Sequence, residues 1–186
     1  MKFLIIIPAH NEENNISFCL ESLKKQNFQD FVCMIVNDGS TDRTAEIINN
    51  FKNQDSRFRV LDLETSEHSP GAKVVRTFDK GLQALDWKDS DVVCKYDADI
   101  VFPTNYLEKI NQTFETNPKA GIVSGLVYIK KYKSNSEIKN LRNPNENWLD
   151  FSNKNGEWVF ENLSSKNHVR GPIKSYRKEL FQKMNG

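Results

Sequence analysis

The chain has 186 residues, enough for one domain or one domain with part of another, and enough to bury a real core. A hydrophobic share of 38% with 27% charged residues describes a polar-surfaced globular protein and excludes a disordered one. The net charge of +1 lacks the basic excess of a nucleic-acid binder, so no nucleic-acid partner is expected.

In chain order, the apolar run Phe3 to Pro8 predicts a buried strand. It is far short of the ~20 residues that cross a bilayer, and Pro8 closes it too early for a secretory segment. Ile16, Cys19, Leu20 and Leu23 fall at i, i+3, i+4 and i+7, which makes one apolar stripe on a first helix. Phe31 to Asn37 reads as the second strand, and Thr41 or Ser40 as the cap of a second helix whose inner face is Thr44, Ala45, Ile48 and Phe51. A third strand over Arg59 to Leu63 leads to a helix with Val75, Phe78, Leu82 and Leu85 inward. Val92 to Tyr96 is the fourth strand. Pro103 suits the first turn of a fourth helix, whose inner face, Leu107, Ile110 and Phe114, ends at Asn117-Pro118. A strand over Gly121 to Ile129 follows. This alternation predicts an α/β fold with a mainly parallel central sheet and helices on both faces.

Beyond Ile129 the pattern weakens. Lys130 to Asn147 reads as a long surface connection, either a lid or a disordered stretch. Trp148, Phe151, Trp158 and Phe160 are expected to pack on the sheet, with a ligand wall as the alternative, and Ser175 to Met184 is expected to be a final helix. Residues 1–129 carry 14 basic and 19 acidic side chains, whereas residues 130–186 carry 12 and 6. The rear part is thus expected to attract anions, or to be a solvated basic surface. Cys19, Cys33 and Cys94 lack paired spacing and read as reduced core thiols, which points to the cytoplasm or to the inner face of the membrane.

In an open parallel sheet, ligands bind outside the carboxyl ends of the strands. Here those ends are polar: Pro8-Ala9-His10-Asn11-Glu12-Glu13 after the first strand, Asn37 to Asp42 after the second, and Asp97-Ala98-Asp99 after the fourth. Glu13 and Asp42 suit helix capping. Asp97 and Asp99, one residue apart, point the same way along a strand and repel unless a cation joins them; the alternative is a pair of acids that starts a loop. Hard oxygen ligands in an open coordination sphere suit magnesium or manganese held jointly with substrate phosphates. No glycine-rich phosphate loop follows the first strand, which argues against a dinucleotide dehydrogenase or a P-loop enzyme.

Ile6-Ile7-Pro8-Ala9-His10-Asn11-Glu12-Glu13, Ile35-Val36-Asn37-Asp38-Gly39-Ser40-Thr41-Asp42 and Tyr96-Asp97-Ala98-Asp99 together resemble the family 2 glycosyltransferases, inverting enzymes with the GT-A fold. Gly71-Ala72-Lys73 to Gly81-Leu82 is similar to that family's basic nucleotide-contacting helix start, with Thr77-Phe78-Asp79 where an asparagine often follows the arginine. Gly171-Pro172 with Tyr176-Arg177 looks like its later segment behind the sugar site. The resemblance implies a nucleotide-binding set of Pro8, Ala9, His10, Asn11, Glu12, Asp38, Lys73, Asp97 and Ala98. Asp99 would be the direct metal ligand and Asp97 would meet ribose or metal-bound water. Lys73 would reach base or phosphate.

It also implies transfer of a sugar, with inversion, from a nucleotide-diphosphate sugar such as a UDP-sugar to a saccharide or lipid-linked acceptor, with Mn2+ or Mg2+ as cofactor. Peripheral membrane contact is expected at the basic rear part. Residues 1–129 would form the nucleotide-sugar-binding half, and 130–186 an acceptor-side segment of the same domain. The family's general base comes from an acidic pair expected past Asn185-Gly186. The catalytic base is therefore unassigned, the domain is expected to be C-terminally incomplete, and a donor-binding module without catalysis is the alternative.

Overall fold

The computed structural model describes residues 1–64, 72–130, 158–160 and 171–184. Four strands, β1 (Phe3–Ala9), β2 (Phe31–Asp38), β3 (Phe58–Leu63) and β4 (Val92–Tyr96), pair in parallel in the order β3-β2-β1-β4. Helices α1 (Ile16–Lys24), α2 (Thr44–Gln54), α3 (Ala72–Gln83) and α4 (Tyr106–Thr116) accompany them. The short strands β5 (Ile122–Val123), β6 (Tyr128–Lys130) and β7 (Trp158–Phe160) come next, and β8 (Ile173–Arg177) runs straight into α5 (Lys178–Lys183). β8 completes the six-stranded sheet by lying antiparallel between β4 and β5, while β6 and β7 form a separate pair.

The near-continuous apolar runs arise because the sheet is covered on both faces. Along β1, Phe3, Ile5 and Ile7 enter one cluster with residues of α1, α2 and α4, while Leu4 and Ile6 enter another with Phe78 and Leu82 of α3 and Phe181 of α5. β2 repeats the alternation, with Cys33 and Ile35 on the first face and Met34 and Val36 on the second. Each such side chain contributes roughly 1.5–3 kcal/mol when fully buried. The three cysteines are buried and free. Burial, the largest cause in each, drives their thiols upward, that of Cys94 to about 11, so they serve as small core hydrophobes.

Four expectations are corrected. The strand over Gly121 to Ile129 is instead β5 and β6, in different sheets. Its ladder stops near Gly125, whose amide donates to the Tyr106 hydroxyl (3.3 Å) and whose backbone lies against that ring, where an added Cβ would come within 2.7 Å. The helix over Ser175 to Met184 begins only at Lys178, because Ile173 and Ser175 alternate into the core as strand residues do and the Ser175 Oγ lies 2.8 Å from the buried Tyr96 hydroxyl. Neither Thr41 nor Ser40 caps α2: its N-cap position is Arg43, without a side-chain cap bond, and the Asp42 carboxylate just before it accepts from the Thr44 amide at 2.9 Å. Val75 is not inward: it is 60% exposed, and its neighbour Val74 is 44% exposed, so the start of α3 turns both valines away from the core. Lys131 to Asn147, Trp148 and Phe151 lie outside the described residues. Among the described residues, no helix is long and apolar enough to cross a membrane.

Candidate functional site

Because β1, β2 and β4 are parallel, their carboxyl ends open on one edge of the sheet, and the loops after β1 and β2 are stitched together there. The Asn11 amide donates to the Ser40 Oγ (3.1 Å), the Thr41 amide to the Asn11 Oδ1 (2.8 Å) and the Glu12 amide to the Thr44 Oγ1 (2.8 Å). Glu13 and Asp42 exchange support across the same seam. The Glu13 amide donates to Asp42 (3.2 Å), and the Glu13 carboxylate accepts from the Arg43 amide at the start of α2 (3.2 Å). Both acids therefore organise loops and the helix start, as expected of them. Hydrogen bonds from Thr44 and Glu13 outweigh burial and hold Asp42 below the usual carboxylate range.

Two residues in this seam have positive φ, Gly39 at 62° and Asn11 at 56°. Asparagine is among the few side chains that tolerate this region, here with its Oδ1 tied to Thr41. The His10 Nδ1 is 2.7 Å from the Asp38 carbonyl, which can only accept, so the hydrogen sits on Nδ1. Pro8 is partly buried, and Ala9 and Ala98 are almost fully so, which leaves the two alanines little besides backbone to offer a ligand.

Asp97 and Asp99 stand at the end of β4. The Asp97 amide donates to the Pro172 carbonyl at 2.9 Å, which sets Gly171-Pro172 beside the acid pair. The Asp97 side chain pairs with Lys95, a lysine in an otherwise apolar strand whose side chain shares the face of Val93. Asp99 is exposed as a residue, yet its carboxyl is held above the usual range by partial burial and then by the charge of Asp97. Glu12 is likewise raised, by burial first and then by Asp99, Asp42 and Asp97. Several carboxylates therefore converge on one edge, and the nearby acids add to burial in making Glu12 and Asp99 harder to ionise. No ready cage of three metal-binding side chains exists among the described residues. The donor set fits a hard divalent cation that takes its remaining ligands from a substrate or water.

The Asp38 carboxylate is buried and meets the first two turns of α3. Its Oδ2 lies 3.0 Å from the Thr77 Oγ1 and 3.4 Å from the Lys73 Nζ. Beside Asp97 and Lys95 opens a groove of about 490 Å3, walled by Val74, Val75, Phe78, Phe181 and Met184. The expected residues 8–12, 38, 73 and 97–99 thus share one sheet edge. Sequence reading missed Lys95 and Thr77. A lone lysine in phase with Asp97 and a hydroxyl one helical turn after Lys73 were the available signals. Arg177 instead ties down α4, donating to the Phe114 (2.7 Å) and Ala120 (3.0 Å) carbonyls.

A family model described as Glycosyl transferase family 2 matches residues 4–184. The chain belongs to this family. This family 2 glycosyltransferase is 36% identical over 118 residues to a teichoic acid poly(glycerol phosphate) polymerase of Staphylococcus epidermidis, covering 60% of the chain and 15% of that relative. It is 28% identical over 149 residues to EpsH, a putative glycosyltransferase of Bacillus subtilis, covering 66% and 42%. Among solved structures it resembles S. aureus TarS in complex with UDP-GlcNAc, at 27% identity and a TM-score of 0.56 over 66% of this chain and 33% of that one. It shares its fold with a Pyrobaculum calidifontis mannosyltransferase solved with GDP-Man and Mn2+, at 17% identity and a TM-score of 0.64 over 100% and 47%. The chain thus spans less than half the length of each, and the fold is the GT-A glycosyltransferase fold.

Proposed function

We propose that this family 2 glycosyltransferase carries the donor half of an inverting, metal-dependent site that takes a UDP-sugar. The observation that carries the reading is the convergence of Glu12, Asp38, Asp97 and Asp99 on one sheet edge, with the carboxyls of Glu12 and Asp99 both pushed up, by burial first and by nearby acids second. A cation held by Asp99, with Asp97 in support, would neutralise the diphosphate as the leaving group departs. Lys95 restrains Asp97, and the stitched loops from Pro8 to Glu12 hold the backbone that would face the nucleoside. Asp38 and Lys73 would address the base. TarS, solved with UDP-GlcNAc, supports uridine as the nucleoside and an N-acetylhexosamine as the sugar. A saccharide or lipid-linked hydroxyl would be the acceptor, met on the side of the basic segment 130–186, with peripheral membrane contact there.

The test is thermal unfolding of the chain with UDP, UDP-GlcNAc and other nucleotide sugars, each with and without Mn2+. Ligand bound to the native state raises the melting temperature, so UDP with Mn2+ should raise it by several degrees at saturation. A melting temperature unmoved by every nucleotide, with or without the ion, would refute the donor site.

A further inference from the structure

Thr77 was not among the expected site residues, yet it is 3% exposed and its hydroxyl faces the 6% exposed Asp38. The Thr77 Oγ1 is 3.0 Å from the Asp38 Oδ2 and 2.9 Å from the Lys73 carbonyl, and both are acceptors. A hydroxyl has one hydrogen to give. The bond to a carboxylate is charge-assisted and the stronger of the two, and the Lys73 carbonyl sits one helical turn before Thr77, where the helix supplies its own N–H. The hydrogen therefore goes to Asp38. Lys73, four residues earlier on the same helix face, reaches the same oxygen at 3.4 Å.

Thr77 and Lys73 of α3 thus both address Oδ2, and among the described residues no hydrogen bond to Oδ1 is seen. With Oδ2 anchored, the carboxylate plane is fixed and Oδ1 can only accept. It suits a base that presents a ring N–H, as uracil does, and meets the lone pair of cytosine unfavourably at the corresponding position.

We propose that Thr77 is a positioning residue which, by anchoring Oδ2 of Asp38, aims Oδ1 at a ring N–H of the donor's nucleobase and so helps select that base. The inference rests on the reading of Asp38 as the base-contacting acid.

The test compares wild type, Thr77→Val and Thr77→Ser as the full 186-residue chain, by calorimetry with UDP, CDP and inorganic pyrophosphate in Mn2+. Thr77→Val keeps the volume and loses the hydroxyl, so UDP affinity should fall about five- to tenfold while CDP and pyrophosphate change little. Thr77→Ser should restore the preference for UDP over CDP. If Thr77→Val keeps the wild-type ratio, or weakens all three ligands together, the positioning role is wrong. If wild type binds UDP and CDP alike, the assignment of Asp38 to the base falls first, and if it binds none of the three, the donor site itself falls.

Discussion

The Asp97 amide donates to the Pro172 carbonyl at 2.9 Å, so the acid pair is fastened to the stretch that leads into β8. Asp97 is thereby held twice, through its backbone by Pro172 and through its side chain by Lys95. Asp99, the neighbour with the raised carboxyl, is the freer of the two to meet a cation.

Replacement of Asp99 by alanine should abolish Mn2+-dependent binding of UDP in calorimetry, a loss of at least a hundredfold if a charged metal ligand is removed. The fold should persist, since Asp99 is exposed and lies outside the buried clusters. Unchanged affinity in a folded variant would take the acid pair out of the mechanism.

The raised carboxyls of Glu12 and Asp99 also set a pH dependence. In the unfolded chain both titrate at ordinary values, so between those values and the higher folded ones the native state holds more protons. Its stability therefore falls as pH rises through that window, and the penalty is complete above it. Asp99→Asn removes one source of the penalty. With a chelator present, its melting temperature should exceed that of wild type by a margin that widens from acidic toward neutral pH and then levels off. Mn2+ affinity of wild type should rise across the same range, because the ion competes with the proton. A variant-minus-wild-type difference that is flat with pH would contradict this.

Gly81 brings α3 against the sheet. A Cβ there would sit 2.6 Å from the Val36 Cγ2 and 2.9 Å from the Ile6 Cγ2, both on stiff β-branched side chains in the core. Overpacking of this kind costs about 1–3 kcal/mol, more than the gain of up to ~1 kcal/mol from replacing a helical glycine. Gly81→Ala should therefore lower the urea midpoint. UDP affinity should fall with it, because a displaced α3 carries Lys73 and Thr77 away from Asp38. A midpoint at or above wild type would show that the helix seats equally well without this contact.

Much of the fold was legible because burial on both faces writes long apolar runs. β1, β2 and β4 end within one residue of where their runs end. The loops after them were legible because acids at three strand ends have one common meeting place in a parallel sheet. β8 was not, since Tyr176, Leu180 and Met184 recur every four residues and imitate a helix, whereas its strand character depends on Ile173 and Ser175 finding β4 beside them. Just past the end of β5 the Gly125 amide goes to the Tyr106 hydroxyl, a contact with no local signature. The contacts of Lys95 and Thr77 depend equally on tertiary placement: each is unremarkable in its own element until Asp97 or Asp38 is brought opposite.

The strand that joins β4 to β5 follows both of them in the chain by a long stretch. β4 and β5 are both made well before β8, yet β8 is what joins them. While the chain is being extended, the parallel half can assemble with the exposed flank of β4 offering unclaimed amides and carbonyls, a template for misjoining with another nascent chain. Completion waits on a distant segment, so the slow step of folding should be the docking of β8, and with it of Pro172 against Asp97.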